Sequence, residues 1–576
     1  MVRFIQVSIL GLALLFSANT FSQSIKWESF SMVIFERAVK ENKLVLLDLK
    51  ANWCHWCHVM DDSTYSNKEV IDYINKHFIA VEADQDRNPD LAIKYKDYGW
   101  PATIVFNKDK GEIVKRAGYF SPKDFLRLLK AIVADPSPEE TNRKLSEIDI
   151  SHSGNVDLKA QKSALLNGLD YETGGYKFSS QRYVAYEPFE YAIKNYKVDS
   201  NLSVWLNKSM SGAMDLEDKS WGGIYQYSTN RDWKHLHFEK LLKIQTRYIN
   251  MFLQYYQVTK DEKMLQAAIN TEHYVDRFLK NKNGEGYFNS QDADLVQGEH
   301  AEHYFLLSDE DRMKLGVPKI DKNIYTNNNA KLVESLFLLY ASTADSSYYK
   351  KAMNLLHFLR ENRRLDNGSF KHGEMKTTIS TLEDNLPMTK AYIVAFQVTQ
   401  DSIYLKELNQ LLVYIQGEFQ LKNGSFQSYV GGDVLDGEPI IEENIELART
   451  FNVVSHLLNN HDFEVTANRV GDFLFSNQIL ASINYPEASL LLLNEELSSA
   501  PISFSQMVFT EDETSQLLFL KAVASPSFYK LIQQFNSQSI PKDKEIYFSS
   551  FDKNVLLKCN EVFCSSPIYN ASDLNY

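Results

Sequence analysis

Cysteine is scarce: four residues in 576, too few for a disulfide-built scaffold. They fall in two close pairs, Cys54/Cys57 and Cys559/Cys564, which suggests two separate local roles. Long apolar runs are missing beyond the first residues, where no stretch approaches the roughly 20 consecutive apolar residues of a membrane-spanning helix. Basic stripes are missing too. Acidic side chains outnumber basic ones 75 to 61, for a formal charge of −14, and no Lys/Arg cluster is placed to neutralise phosphates, so nucleic acid is not an expected partner.

What is present begins with a leader. MVRFIQVSILGLALLFSANTFSQS has Arg3 as its positive start, an apolar core from Ile5 to Phe16 and a small-residue cleavage pattern at Thr20-Phe21-Ser22. Residues 1–23 therefore read as a signal peptide and the remainder as an exported chain, periplasmic or secreted, with no membrane span once the leader is removed. A retained signal anchor is the alternative, and no lipobox cysteine offers a lipid anchor. At 576 residues the chain is long for one core, so two or more domains are expected.

The densest chemistry is KANWCHWCHVM, Lys50–Met60, with two cysteines and two histidines in five positions. Three kinds of site share these residue types. A redox dithiol needs a helix N-terminus, where unpaired N–H groups and the helix dipole hold Cys54 as a thiolate below the free pKa of roughly 8.5; His55, when protonated, adds to this. A structural zinc needs four converging ligands, which neighbours such as Cys54 and His55 do not easily supply to one tetrahedral ion, and no second ligand pair lies nearby. The pattern Cys54-His55-Trp56-Cys57-His58 also satisfies c-type haem attachment, against which stands the apolar strand running straight into it. A redox dithiol is the preferred reading, an inert disulfide stays open as the alternative, and neither cofactor nor metal is expected.

Around the motif, residues 31–42 have helical apolar spacing, and KLVLLDLKAN is a continuous apolar run suited to a strand buried on both faces. NKEVIDYINKHF reads as a helix, FIAVEAD as a strand and NPDLAIKYKDYG as a helix; PATIVF and EIVKRAG form a hairpin, and SPKDFLRLLKAIV closes the unit. This order, with the dithiol at the end of the first strong strand, resembles thioredoxin. The resemblance implies that Cys54 attacks, that Cys57 resolves, that Asp48 takes the place of the buried acid that relays the Cys57 proton, and that Pro101 is the cis-proline against the dithiol. More narrowly, CHWCHVMDDSTYSNKEV and Gly99-Trp100-Pro101 resemble the thioredoxin-like family that includes spermatogenesis-associated protein 20 and its bacterial relatives. In that family a toroid of helical hairpins follows. The fold class expected is thus α/β plus all-α: a thioredoxin-like domain at 24–150, an (α/α)6-type toroid at 155–540 and a tail at 541–576.

The chain beyond residue 155 shows a repeat of its own. QVTKDEKMLQAA, ASTADSSYYKKA and QVTQDSIYLKEL each place Thr-x-Asp between two amphipathic helices, with the Asp capping the second. Gly-aromatic loops recur at 174–176, 222–225, 284–287, 367–370 and 423–426. An open helical solenoid is the alternative architecture. His237-Phe238-Glu239-Lys240 matches the family's His-Phe-Glu-Lys, opening an inner helix with His237 and Glu239 at the rim. Ser290–Asp294 adds Asp292 and Asp294, and Leu382-Glu383-Asp384 adds Glu383 and Asp384.

Toroids of this kind occur in sugar epimerases and glycoside hydrolases, where carboxylates on opposing loops act as general acid and base; the bland alternative is that these residues cap helices or stand solvated. The sequence departs from the family at Leu241–Gln245, at Asn328–Ala330 and at Asn385, so binding of a partner through Tyr176, Tyr225 and Tyr287 is expected in place of sugar turnover. His300-Ala-Glu-His303 is not a zincin motif. Cys559 and Cys564 lie in a segment resembling the family's C-terminal cysteine pair and are a candidate disulfide, or a reducible substrate for Cys54. The function expected is thiol-disulfide exchange with a protein thiol or disulfide partner. A carbohydrate-active or carbohydrate-binding toroid with a structural thioredoxin domain is the alternative, and a non-catalytic interaction scaffold the third reading.

Overall fold

The computed structural model describes residues 24–96, 99–139, 144–148, 158–375, 378–432, 434–483, 487–536 and 538–574; the leader lies outside them. The first unit is built on a five-stranded sheet of order β1-β3-β2-β4-β5, with β1 (Trp27–Glu28), β2 (Leu44–Lys50), β3 (Phe78–Asp84), β4 (Ala102–Phe106) and β5 (Glu112–Ala117). The first three strands in that order are parallel and the last two antiparallel. The central strand β2 is buried from Val45 to Leu49, which is why its sequence does not alternate. Helices α1 (Met32–Glu41) and α4 (Pro89–Tyr95) cover Val45, Leu47 and Leu49. On the other face α3 (Lys68–His77) and α5 (Pro122–Ala134) cover Leu46 and Val105. Helix α2 (His55–Ser63) starts just beyond β2, and the register Leu49↔Ala102 brings Pro101 alongside that exit.

The second unit is a closed double ring. Its helices are α6 (Lys159–Gly168), α7 (Tyr186–Lys194), α8 (Ser200–Ala213), α9 (Leu242–Thr259), α10 (Glu262–Tyr274), α11 (Glu302–Phe305), α12 (Asp309–Leu315), α13 (Thr326–Thr343), α14 (Ser346–Asn362), α15 (Leu382–Thr399), α16 (Ile403–Phe419), α17 (Ile441–Leu458), α18 (His461–Leu474), α19 (Asn477–Ser482) and α20 (Ala488–Leu497). The inner helices pack in the cycle α7-α9-α13-α15-α17-α20 and back to α7, each backed by one of the outer helices α8, α10, α14, α16, α18 and α6. Closure sets the open solenoid aside. At three inner-to-outer turns the Thr259, Thr343 and Thr399 hydroxyls accept the N–H of Asp261, Asp345 and Asp401, and each Asp caps the following helix.

The Gly-aromatic loops are held from within. Asn329, Asn385 and Asn444, near the starts of inner helices, accept the N–H of Tyr287, Phe370 and Phe426. Asn385, a departure from the family pattern, therefore serves the repeat. Tyr225 and Tyr287 are buried and Tyr176 half-buried, which corrects the expectation of an exposed tyrosine surface: the aromatic side chains of these loops turn inward onto the helices.

The third unit departs from the expected boundary. The toroid's helices end with α20, and β13 (Ile502–Met507), α21 (Glu513–Val523), β14 (Lys530–Phe535), α22 (Lys542–Phe548) and β15 (Val555–Cys559) follow, after the short paired segments β6 (Tyr227–Thr229), β7 (His235–His237), β8 (Lys240–Leu241), β9 (Ser290–Gln291), β10 (Ile320–Asp321), β11 (Ser380–Thr381) and β12 (Tyr429–Val430) of the ring. Strand β13 pairs parallel with β14 and antiparallel with β15, so residues 502–535 join the tail in one small sheet rather than the ring. Residues Ser525–Phe528 and Lys530 of this unit reach the ring's bore beside Glu190, Glu334, Lys390 and Arg449. Cys559 and Cys564 are joined in a disulfide at its edge. No helix among the described residues is long and apolar enough to cross a membrane.

The first two units interlock. Leu435 of the ring enters the thioredoxin-like core with Leu91 and Phe106, and His372 clasps the loop after β3. Its Nδ1 faces the Asp384 carboxylate at 2.8 Å and its Nε2 the Asp86 carbonyl at 2.7 Å. Both partners only accept, so the ring must carry both protons. Burial opposes this charge, but the neighbouring Asp384 outweighs it and raises the pKa to about 9. A raised histidine contributes stability that is complete below pH 6.5 and lost as the pH rises through about 9. The pH-dependent part of the stability difference between wild type and His372→Ala is thus expected to reach roughly 3 kcal/mol at pH 6 and to vanish by about pH 10; denaturant unfolding across that range checks it.

Candidate functional site at the domain seam

Cys54 is the N-cap of α2, and its Sγ accepts the Cys57 N–H at 3.2 Å. The two cysteines form a disulfide, and the Trp100–Pro101 bond is cis. Asp48, on β2, is buried and accepts the Tyr65 hydroxyl at 3.1 Å. Burial pushes its carboxyl up to about 7. The motif is covered: Cys54 is 5% and Cys57 2% exposed, packed among Ala51, Trp53 and Trp100 of their own domain and Leu241 and Ile244 of the ring.

The cover is positioned by strand pairing. The His237–Lys240 segment does not open a helix, contrary to expectation; His237 ends β7, Lys240–Leu241 form β8, and α9 begins at Leu242. Strand β8 pairs antiparallel with β9 (Lys240↔Gln291, Leu241↔Ser290), so Lys240 takes strand geometry and buries its ammonium on Asp218 at 2.6 Å, over the Tyr274 ring. The same pairing sets Glu239 beside the Asp292–Asp294 turn.

That turn meets α2. The Asp294 carboxylate is shared by His55 Nδ1 at 2.8 Å and His58 Nδ1 at 3.2 Å, and also accepts the Gly298 N–H. Asp292 Oδ1 accepts the Asp294 N–H, while its Oδ2 lies 3.9 Å from His58 Nε2. The His300 ring stands 4.1 Å from that of His55. Gly298 has the left-handed φ of +82°, which favours glycine, and a Cβ there would lie 2.8 Å from the exposed Asp62 carboxylate of α2, which would have to turn aside. Burial would raise Asp294, but hydrogen bonds from His55 and His58 hold it well below the usual carboxylate range. Burial raises Asp292 to about 6, and burial with the Asp292 and Asp294 charges raises Glu239 to about 8. His237 falls to about 4 through burial and the nearby His55 and His300.

Five expected site residues therefore converge on the seam: His55, His237, Glu239, Asp292 and Asp294. His55, expected to lend charge to Cys54, is engaged by Asp294. Glu383 and Asp384 are not part of this cluster; Glu383 is half-buried at the start of α15 and Asp384 is committed to His372 and Thr381. Sequence reasoning missed His58 and His300 as members. The three-residue spacing of His55 and His58 is the signal for the first, because it sets both rings on adjoining faces of one helical turn.

A family model described as Thioredox_DsbH, protein of unknown function, DUF255, matches residues 15–137. Over 311 residues, 47% of this chain and 39% of the relative, the chain is 26% identical to spermatogenesis-associated protein 20 of Mus musculus. It thus spans about two fifths of that relative's length. A stretch of 102 residues, 16% of this chain, is 30% identical to the thioredoxin of Buchnera aphidicola subsp. Baizongia pistaciae, of which it covers 87%. Among solved structures, cellobiose 2-epimerase from Spirochaeta thermophila aligns with a TM-score of 0.47 at 11% identity, covering 58% of this chain and 92% of that one.

Asp48 provides a measurable consequence. A carboxyl raised in the folded state is neutral at low pH and opposes folding once ionised, so its penalty is absent below about pH 4 and complete above about 7. Asp48→Asn is expected to leave stability unchanged at pH 3.5 and to raise it at pH 8 by up to roughly 4 kcal/mol, read from denaturant midpoints.

Proposed function

Because the N-terminal domain of this chain belongs to the thioredoxin-like proteins, we propose that Cys54 and Cys57 form a dithiol–disulfide couple that exchanges with a partner thiol or disulfide. The observation that supports this most is the place of Cys54 at the N-terminus of α2, with its sulfur already accepting the Cys57 N–H. A thiolate there gains from the helix dipole and from that donor.

In the reducing direction the Cys54 thiolate attacks one sulfur of a partner disulfide. A Cys54–partner disulfide forms, and the partner's other sulfur leaves as a thiolate. Cys57, deprotonated with Asp48 as the acceptor, then attacks the Cys54 sulfur and expels the second partner thiolate. Two electrons pass to the partner, and Cys54–Cys57 is left as the disulfide, which an external dithiol reduces again. Asp48 suits the relay, since with its carboxyl pushed up to about 7 it is ionised above that pH and is then a stronger base toward a thiol proton than an ordinary carboxylate.

The ring gives this couple its selectivity. Leu241 and Ile244 roof the cysteines, so a partner reaches Cys54 by parting the seam or by threading a slender thiol-bearing segment into it. Export, read from the leader, belongs to the same proposal, since an oxidising compartment keeps such disulfides formed. A carbohydrate role for the rim acids gains little from the geometry, because Asp294 serves the motif histidines and Asp384 serves His372.

Cys54→Ser is expected to abolish reduction of an insulin-type disulfide, and Cys57→Ser to accumulate mixed disulfides with its partners, visible as reductant-sensitive bands. Full turnover by Cys54→Ser would overturn the mechanism.

A further inference from the structure

We propose that the seam binds one divalent metal ion of the zinc class, held by His58 of the thioredoxin-like domain and by Asp292 of the ring, with Glu239 completing the set and Asp294 orienting the His58 ring from behind. The proposal is independent of the redox reading, because none of these groups is a cysteine.

The donor atoms converge. His58, Asp292 and Asp294 each present a ligand atom within 4.8 Å of the others. All are deeply buried: Asp292 is 1%, Asp294 2%, Glu239 5% and His58 9% exposed. Buried carboxylate oxygens are ordinarily hydrogen-bonded, yet Asp292 Oδ2 and Glu239 Oε2 have no partner among the described residues. Leaving such acceptors dry and unpaired is costly.

The tautomer of His58 sharpens the case. Asp294 can only accept, so a hydrogen bond from His58 Nδ1 fixes one proton there, and in the neutral imidazole the lone pair is then on Nε2. That lone pair faces Asp292 Oδ2 at 3.9 Å. In that form two acceptors face each other in a buried space, and a cation between them takes the place of a second ring proton. Bonds of about 2.0–2.1 Å to each require only slight closure. A carboxylate behind a metal-bound imidazole is also the usual way its ring is oriented. The Gln297 amide, 3.3 Å from the same Nε2, is the one group an arriving ion displaces or turns to present its oxygen. Imidazole with carboxylates favours zinc or manganese over magnesium, which prefers oxygen alone and keeps its waters.

This site was illegible in the motif itself. Zinc was set aside there because Cys54 and His55 cannot share an ion and no second ligand pair lies nearby in sequence. The further ligands arrive from Asp292 and Glu239, on another domain.

The test uses the full chain with both disulfides oxidised, so that no thiolate competes, after removal of metal with a chelator. Zinc and magnesium chlorides are titrated by calorimetry, and bound metal is counted after dialysis. One zinc per chain is expected, with affinity at least about tenfold above that for magnesium and a zinc-dependent rise in melting temperature. Asp292→Asn is expected to weaken zinc binding at least about tenfold while melting no lower than the metal-free wild type, since it removes a buried charge whose Oδ2 has no partner and keeps the Oδ1 acceptor of the Asp294 N–H. If that variant does not fold, Glu239→Gln carries the same expectation. Absence of stoichiometric zinc, or unchanged affinity in the folded variant, as ion binding at exposed His235 or His461 would give, overturns the proposal.

Discussion

One carboxylate joins this molecule. Asp294 receives His55 and His58 from the same helix, 239 and 236 residues away in sequence, and its backbone is tied to Asp292 and Gly298. A buried carboxylate without partners is expensive, so the ring's rim is stable in this shape only with α2 docked against it. The dependence runs both ways, since α2 would otherwise present two polar rings to an apolar cover. The close approach at Gly298 and the insertion of Leu435 into the first core follow from that docking.

The docking changes what the dithiol is. Both sulfurs lie under Leu241 and Ile244. The features that tune the thiols, the start of α2 and the buried Asp48, come from the first domain alone. The features that govern access come from the second. The surroundings that tune the sulfurs and the cover over them are thus encoded in different parts of the chain.

The first domain was legible because its signals are local. The unbroken apolar run of β2, the capped start of α2 and the hairpin of β4 and β5 all follow from short-range pattern. The double ring was legible for the same reason, through Thr-x-Asp turns that recur at fixed places. What escaped depended on distant pairing. His237–Lys240 is extended because β8 finds β9 some fifty residues later, and no helical periodicity reports that. Tyr225 and Tyr287 look like contact residues in a polar loop, yet side chains on inner helices draw the loops inward. The C-terminal sheet escaped because α21 continues the helical rhythm of the ring while β13 and β14 are short strands whose partner, β15, lies beyond it. The seam was hardest, since its residues come from both domains.

The span between α2 and Asp294 has a consequence during synthesis. Chains emerge from the N-terminus, and domains fold as they appear. The sheet of the first domain is complete when β5 is made, whereas Asp294 follows well over a hundred residues later, and the ring closes only when α20 meets α7. Throughout that interval the newborn domain carries its two cysteines uncovered. The nascent chain therefore passes through a stage in which any oxidant or reductant of its surroundings reaches Cys54 and Cys57, before ring closure narrows the approach to them.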